Sequence, residues 1–439
     1  MCFSGYIIIE SITNSKTCDK FLLTESKICV ELFRYVYESC NQKNYSTSPK
    51  QRVFWRYQRF VNREPFIGSL FLPVYGRIMK TLTLPGLIDP HVHMREPGGT
   101  HKEDWDSGTA AALAGGFTTI LAMPNTKPPV TDAETLTSTL TIAQSKARCD
   151  FGQYLGAGAD NTTSVSANAF HSAGLKMYLD QTYGPLRLDD MTDWMAHLQA
   201  WPKNMPVCAH CEGTSLAAVI LLAELTQHPV HLCHVSRREE ILLIKAAKQK
   251  GIPITCEVTP HHLFLSEDDI PAIGNGRSEV RPQLATRQDV QALWDNLDVI
   301  DCFATDHAPH TLAEKDGEIP APGFPGLETC IPLLLTAASQ NRLSIEDIIL
   351  RCHINPQRIF HLPEQPETRV EIDLQGKYTI QAKDMFSRCG WTPYEGMQVK
   401  GRVKQVVLRD QVVYEAGKVL ANPGIGRNVR PPILNFTKS

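Results

Sequence analysis

Short apolar runs alternate with amphipathic stretches from about residue 80 onward, and this alternation constrains the fold more than any other feature. The runs are five to seven residues long and mostly rich in Val, Ile, Leu, Thr or Cys, as expected for strands buried on both faces. They cover residues 83–89, 118–123, 151–156, 174–179, 206–210, 230–234, 253–258 and 300–305. Helical patterns separate them at residues 105–114, 132–147, 189–200, 215–227, 237–248 and 286–297.

Eight buried strands that alternate with helices over about 250 residues predict a (β/α)8 barrel of the TIM type. An open doubly wound sheet is the alternative, but no glycine-rich phosphate loop follows the first strand. The predicted fold class is therefore α/β, with the barrel over residues 80–366. Residues 367–421 contain further strand-like runs and predict a small β-layer on the barrel, and residues 422–439 predict an extended tail or linker.

Residues 1–79 differ from the rest of the chain and have no assigned role. They hold eleven Lys and Arg against six Asp and Glu, and 14 of the 34 aromatic residues. The basic, aromatic run at residues 45–60 could contact nucleic acid, but short basic runs are weak motifs and a solvated or irregular face is favoured. Because the whole chain has a formal net charge of −3, no nucleic-acid partner is predicted.

Composition also limits where the protein works. No apolar run reaches the ~18 residues that a membrane-spanning helix needs, so no membrane partner is predicted. The thirteen cysteines are odd in number and show no repeated spacing, which argues against a disulfide framework. The first residues lack the basic region and cleavage site of a signal peptide. The prediction is a cytoplasmic protein with reduced thiols.

Residues of metal-binding type stand at or beyond the ends of the predicted strands. In a barrel of this kind, reactive groups lie at the carboxyl ends of the strands, so these side chains converge on one mouth. Four histidines, one lysine and one aspartate together form an inventory typical of a metal site. They are His91, His93, Lys176, His210, His234 and Asp306.

Each of these residues has a simpler interpretation when it is taken alone. His91 and His93 point to the same side of an extended segment, which suits a hydrogen-bonded pair as well as a metal. Lys176 in a buried strand could pair with a barrel carboxylate such as Asp306, and burial is expected to lower its pKa. Their joint occurrence at the ends of five strands favours the metal site.

Longer motifs surround these residues at two of the strands. The first strand leads into Leu-Pro-Gly-Leu-Ile-Asp-Pro-His-Val-His-Met-Arg-Glu-Pro-Gly at residues 84–98, and the eighth into Asp-His-Ala-Pro-His-Thr at residues 306–311. These motifs resemble those of the dihydroorotases of the amidohydrolase superfamily, and most of all the dihydroorotase domain of animal multifunctional pyrimidine-synthesis polypeptides. Residues 122–126 and 322–329 match as well. The resemblance runs from about residue 82 to residue 429 and leaves residues 1–79 uncovered.

The resemblance implies a centre of two zinc ions. His91, His93 and Asp306 are implied as ligands of the more buried ion, and His210 and His234 as ligands of the second. Asp306 is also the implied proton shuttle, which suits a carboxylate beside two metal ions.

The resemblance further implies that carbon dioxide carboxylates Lys176, so that a carbamate bridges the two ions; a neutral, desolvated lysine is the form that reacts. Cys233 and Glu257 are implied for a third metal position, although a buried thiol is the simpler interpretation of Cys233.

The matching positions also imply contacts to a carboxylate-bearing substrate. The planar guanidinium of Arg95 suits a carboxylate, although a salt bridge to a neighbouring glutamate is the simpler interpretation. A loop after the fourth strand is implied as a lid, where tyrosine replaces the phenylalanine of the animal enzymes. The implied substrate-binding residues are Arg95, Asn125, Thr182, Tyr183, Arg281, His310, Pro322 and Gly323.

The activity implied by the resemblance is the reversible cyclisation of N-carbamoyl-L-aspartate to L-dihydroorotate in pyrimidine synthesis, by a homodimer. Two alternatives remain open at this point. One is another cyclic-amide hydrolase, such as a hydantoinase or allantoinase. The other is a catalytically silent assembly module that keeps the barrel.

Overall fold

A computed structural model describes residues 80–431 of the chain. The predictions made for residues 1–79, and for the last eight residues of the predicted tail, lie outside the described residues.

Parallel strands form a closed barrel. The first strand, β1 (Thr81–Pro85), lies outside it. Hydrogen bonding runs from β2 through β3 to β4, and from β5 through β6, β7, β8 and β9 to β10, while β4 and β5 form one strand interrupted at Tyr154. A parallel bridge between Val92 and His307 closes the ring, which confirms the predicted barrel. The strands are β2 (Leu87–Val92), β3 (Phe117–Ala122), β4 (Asp150–Gln153), β5 (Leu155–Gly156), β6 (Leu175–Tyr178), β7 (Val207–His210), β8 (Val230–Leu232), β9 (Ile254–Val258) and β10 (Cys302–Phe303).

Helices follow the barrel strands, and the six predicted helical patterns all form helices. Local chemistry sets where they begin: the side chains of Asp104 and Asp132 accept hydrogen bonds from backbone N–H groups of the first turn. The helices are α1 (Trp105–Ala114), α2 (Ala133–Lys146), α3 (Thr162–Ala167), α4 (Met191–Ala200), α5 (Thr214–Thr226), α6 (Arg238–Gln249), α7 (Pro260–Phe264), α8 (Ile270–Ile273), α9 (Arg287–Asp295), α10 (Leu312–Lys315), α11 (Leu327–Ser339), α12 (Ile345–Ile349) and α13 (Asn355–Ile359).

Helix α11 was not among the predicted helices. It contains Pro332 in its interior, and proline normally argues against a helix because it removes a hydrogen bond and clashes with the preceding turn. Most of α11 is buried, so tertiary packing outweighs the local cost of the proline.

An antiparallel sheet forms the flanking β-layer, in the order β1–β11–β12–β13–β14. The run at residues 83–89, predicted as one barrel strand, is divided at Gly86: β1 pairs with β11, and only β2 enters the barrel. A side chain at Gly86 would lie 2.5 Å from Thr118 Oγ1, so glycine permits this close crossing. The other strands are β11 (Arg369–Thr379), β12 (Gln398–Leu408), β13 (Gln411–Glu415) and β14 (Lys418–Val419).

The described part of the predicted tail packs against the barrel. Asn428 forms a parallel bridge with Phe151 of β4. Arg430 Nε donates to Ser172 O over 3.0 Å, and Arg430 Nη1 donates to His361 O over 2.9 Å. Within residues 80–431, none of the helices has the length and apolar character needed to cross a membrane.

Candidate metal centre

The predicted metal-binding residues meet at the carboxyl end of the barrel. His91 lies in β2 with His93 just beyond it, Lys176 lies in β6, and His210 ends β7. The backbone turns sharply beyond β8 and β10, because His234 and Asp306 have positive φ values of 36° and 44°. Such φ values are unfavourable for these residues and cluster at functional sites. All six side chains are buried.

Asp306 lies close to both His91 and His93. Its Oδ1 is 3.2 Å from His91 Nε2 and 3.0 Å from His93 Nε2. Burial raises the pKa of Asp306, but the two histidines outweigh it and hold the pKa well below its usual range. One ligand atom of each of the three residues lies within 4.8 Å of the others, so they can hold one metal ion together.

His210 and His234 form a second pair of donors. His210 Nδ1 and His234 Nε2 are 2.8 Å apart. Their other ring nitrogens are buried without a hydrogen-bond partner among residues 80–431. Burial, with Lys176 next in effect, lowers the pKa of His210 to about 3. Burial and His210 lower the pKa of His234 well below its usual range. Neutral imidazoles with converging nitrogens fit a bound metal ion.

Lys176 is completely buried, and its partner is a thiol, not the carboxylate of the simpler interpretation. Its Nζ donates to Cys233 Sγ over 2.9 Å. Burial lowers the pKa of Lys176, as expected, but neighbouring acidic groups, Cys233 first among them, outweigh burial and raise the pKa above its usual value. The expectation of a lowered pKa is therefore not met for a lysine paired in this way.

Glu257 and Cys233 lie close to His91. Glu257 Oε1 is 2.5 Å from His91 Nδ1, and Glu257 Oε2 is 3.1 Å from His231 Nε2. Burial raises the pKa of Glu257, but the histidines, His91 first, outweigh it and lower the pKa. Ligand atoms of His91, Cys233 and Glu257 also lie within 4.8 Å of one another. His231 was not among the predicted site residues, although its alternation with Cys233 in an extended segment was a usable signal.

Arg95 and Asn125 lie beside this donor set. Arg95 Nε donates to Pro309 O over 3.1 Å, and Arg95 Nη2 is 3.0 Å from His310 Nε2. Asn125 Oδ1 is 2.7 Å from His93 Nδ1, and Asn125 Nδ2 donates to Tyr183 O over 2.9 Å. Asn125 therefore connects a metal-site histidine to the loop after β6. The simpler alternative for Arg95, a salt bridge to a neighbouring glutamate, is not formed among residues 80–431.

The loop after β6 covers this cluster through Tyr183. The Tyr183 ring lies 5.0 Å from the His310 ring, and its hydroxyl is 3.2 Å from Lys102 Nζ. The Arg95 guanidinium lies 5.3 Å from the ring centroid, within cation–π range. Thr182 is half-buried in the same loop.

Three predicted substrate-binding residues remain: Arg281, Pro322 and Gly323. Arg281 Nη1 donates to Val280 O over 3.0 Å and pairs with Glu279. Gly323 has a φ of +139° and no room for a side chain, because a Cβ atom would lie 2.4 Å from the carbonyl oxygen of Ala308. Pro322 precedes it in the same segment.

Lys315 is buried and was not among the predicted site residues. It holds the loop at residues 321–323 in place. Its Nζ donates to the carbonyl oxygens of Ala321 and Gly323 over 2.8 and 3.2 Å. Burial lowers the pKa of Lys315 to about 7. No sequence period marked Lys315, because its partners are backbone atoms of a loop.

Buried His262 makes the stability of the fold depend on pH. Its Nε2 donates to Pro282 O over 3.1 Å, and burial lowers its pKa from 6.5 to about 4. Between these values the unfolded chain binds more protons than the folded one, so stability is lost as the pH falls.

We expect the contribution of His262 to the free energy of unfolding to weaken by about 2 kcal/mol from pH 7.5 to pH 5. Denaturant unfolding of wild type and H262Q at both pH values measures it. The variant should show the shallower pH dependence, exposed H361Q should match wild type, and equal slopes for all three contradict the prediction.

The chain is similar to several known proteins. Residues 80–184 match the family model described as "Dihydro-orotase-like". The chain is 54% identical over 351 residues, which are 80% of its length, to the multifunctional protein CAD of Squalus acanthias. It spans only 16% of that protein's length. It is also 35% identical over 353 residues to the dihydroorotase of Pyrococcus furiosus, with 77% of this chain and 83% of that enzyme covered.

Solved structures of the same fold include two relevant neighbours. The L-hydantoinase of Arthrobacter aurescens superposes with a TM-score of 0.76 at 23% identity, with 80% of this chain and 89% of that chain covered. The inactive dihydroorotase-like domain of the Chaetomium thermophilum CAD-like multifunctional protein superposes with a TM-score of 0.69 at 30% identity, with 80% of this chain and 99% of that chain covered.

The closed barrel and the donors gathered at its mouth define the metal-dependent amidohydrolase class. Within that class, the match to a dihydroorotase over most of both chains is decisive. The chain belongs to the dihydroorotase family.

Proposed function

We propose that this chain is a zinc-dependent dihydroorotase, which interconverts N-carbamoyl-L-aspartate and L-dihydroorotate in pyrimidine synthesis. The observation that carries the proposal is the position of Arg95, a buried cation two residues beyond His93 and beside His310. The carboxylate of an anionic substrate can form charge-assisted hydrogen bonds with such a cation, whereas an uncharged cyclic amide has no carboxylate to do so.

Two zinc ions are proposed for the donors at the barrel mouth. His91, His93 and Asp306 hold the first, and His210 and His234 hold the second. Two observations support this assignment. His210 Nδ1 and His234 Nε2 converge, and the second nitrogen of each ring has no hydrogen-bond partner among residues 80–431. Zinc supplies a Lewis acid for the amide carbonyl and lowers the pKa of water.

Lys176 completes the proposed centre as a carbamate. Its neutral amine adds to carbon dioxide and releases one proton, which gives an anionic side chain in place of a cation. The carbamate oxygens would then serve as ligands for the two zinc ions, in place of the contact with Cys233. Cys233, Glu257 and His91 are proposed to hold a third ion, as the clustering of their ligand atoms suggests.

Asp306 carries the proton in the proposed reaction. In ring opening, its carboxylate accepts the proton of the attacking water and delivers it to the departing amide nitrogen; ring closure reverses these steps. Arg95, Asn125 and His310 bind the substrate carboxylate and orient the ring. Arg281 and the backbone of Pro322 and Gly323 line the pocket, and the loop of Thr182 and Tyr183 excludes water.

Turnover of N-carbamoyl-L-aspartate by the purified chain tests the function. We expect dihydroorotate to form, activity to be lost on chelation, and zinc to restore it. Hydantoin, dihydrouracil and allantoin form the control panel, and a preference for one of them would replace dihydroorotase with that activity. No turnover of any substrate by folded, zinc-loaded chain would favour the silent module, which the inactive Chaetomium domain makes a specific second candidate.

The chain is further proposed to form a homodimer in the cytoplasm. All cysteines among residues 80–431 are free and buried, which supports a reducing compartment. Helix α5 leaves Leu221 and Leu225 exposed by 53% and 66%, and apolar surface of this kind supports contact with a second copy.

The dimer proposal predicts the effect of charge on α5. We expect the double variant L221E/L225E to elute as a monomer, because burying two carboxylates in an apolar contact is unfavourable. Light scattering after size exclusion measures the mass, with exposed L420E as the control that keeps the wild-type mass. A dimeric double variant contradicts this location of the contact, and a monomeric wild type contradicts the dimer.

A further inference from the structure

Lys102 occupies a position between the substrate cluster and the loop after β6, and no role has been assigned to it. It lies between β2 and α1 and is only 4% exposed. Its Nζ is 2.8 Å from Glu314 Oε1, 3.0 Å from His310 Nδ1 and 3.2 Å from Tyr183 Oη. An ammonium group has three protons to donate, so these three partners account for all of them.

His310 lies between two cations. Its Nδ1 faces Lys102 at 3.0 Å, and its Nε2 faces Arg95 Nη2, also at 3.0 Å. Burial, followed by Arg95 and Lys102, lowers the pKa of His310, so the ring is neutral. A neutral imidazole has one nitrogen that accepts and one that carries hydrogen, and neither cation can accept. Only one cation can therefore donate to His310, and the other faces an N–H group.

Glu314 Oε2 also faces His310 Nδ1, but at 4.0 Å it is too far to accept a hydrogen bond from it. The two cations therefore decide the tautomer, and their other partners show which one donates. Lys102 is buried, and a donor left without an acceptor there is costly. Arg95 has other N–H groups, since its Nε is already bonded to Pro309 O and each terminal nitrogen has two hydrogens. Arg95 also lies on the side of the metal-site histidines, two residues beyond His93. An oxygen atom of a bound anion can therefore insert between Arg95 and His310, where both groups then donate to it.

We propose that Lys102 is a positioning residue that fixes the tautomer of His310. By donating to Nδ1, it places the ring hydrogen on Nε2, so that His310 and Arg95 present two donors to one carboxylate of the substrate. The bond from Lys102 to Tyr183 ties the covering loop to the same group. This inference rests on the proposed function for its substrate, but the tautomer itself can be measured without turnover.

Nitrogen-15 NMR of histidine-labelled, zinc-loaded chain tests the tautomer. Comparison with H310Q identifies the His310 signals. In wild type we expect a protonated Nε2 and an unprotonated, accepting Nδ1. In K102M Arg95 becomes the remaining donor to the ring, so the hydrogen should move to Nδ1. A wild-type Nδ1–H form, or an unchanged tautomer in K102M, overturns the proposal; if K102M does not fold, the wild-type spectrum decides.

Steady-state kinetics measure the consequence for the substrate carboxylate. K102M should raise the KM for N-carbamoyl-L-aspartate about tenfold, the size expected for losing one charge-assisted hydrogen bond, and change kcat by less. K102R keeps a donor and should restore most of the loss, while exposed K404M should match wild type. An unchanged KM in folded K102M overturns the proposal. If wild type and K102M show the expected tautomers but wild type shows no turnover, the proposed function is overturned and the tautomer assignment stays in place.

Discussion

Replacing Asp306 with asparagine should lower kcat by about a thousandfold, within the range for loss of a positioned acid–base group. Asparagine keeps the shape of the side chain but cannot take the proton of the attacking water. The carboxylate is ionised and therefore able to accept a proton, because the two histidines near its Oδ1 hold its pKa well below the usual range.

Metal content separates this chemical effect from collapse of the site. Elemental analysis should show that D306N retains part of its zinc, because the four histidine donors remain. D316N is the matched control, since Asp316 is exposed and pairs with Arg277 on the surface; its kcat should equal that of wild type. If D306N keeps more than a tenth of wild-type activity, Asp306 is not the proton shuttle.

Removing the Lys176 side chain should strongly lower turnover and reduce the metal content. K176A leaves a buried cavity at a position where the proposed centre needs an anion with two oxygens. We therefore expect kcat to fall by at least about a hundredfold, and added acetate to restore part of it by occupying the cavity. Exposed K404A should keep full activity and should not respond to acetate.

Labelled bicarbonate tests the carbamate directly. Wild-type chain reconstituted with zinc in carbon-13 bicarbonate should show one carbamate signal by NMR, and K176A should not. Bound zinc would stabilise the carbamate, so the signal should grow as zinc is added; without the carbamate, Lys176 Nζ donates to Cys233 Sγ. Full activity in K176A, or an equal signal in both proteins, contradicts the assignment.

Much of the fold could be read from local patterns. The barrel strands and the six predicted helices follow from runs of apolar residues and from capping residues such as Asp104 and Asp132, which act over a few positions. The predictions from local patterns were wrong at two places, around Gly86 and around Pro332. The division of the first run depends on β11, which lies far along the chain, and α11 forms in spite of its proline because its surroundings bury it.

The candidate site divides in the same way. His91, His93, His210, His234 and Asp306 could be located in advance, because the carboxyl ends of parallel barrel strands meet at one mouth. The partner of Lys176 could not, since the register between neighbouring strands decides whether a thiol or a carboxylate lies beside it. Lys315 was missed for a related reason: backbone carbonyls of a distant loop bind it.

The sequence by itself determined that this chain forms a barrel and that its metal-type residues gather at one end, because strand and helix periods record which faces are buried. Only the tertiary structure decided how Lys102, Tyr183 and His310 meet. Tyr183 lies 81 positions and His310 lies 208 positions from Lys102, and their segments have no period that records a partner. Their contacts arise from the closure of the barrel, which brings three loops together over one mouth.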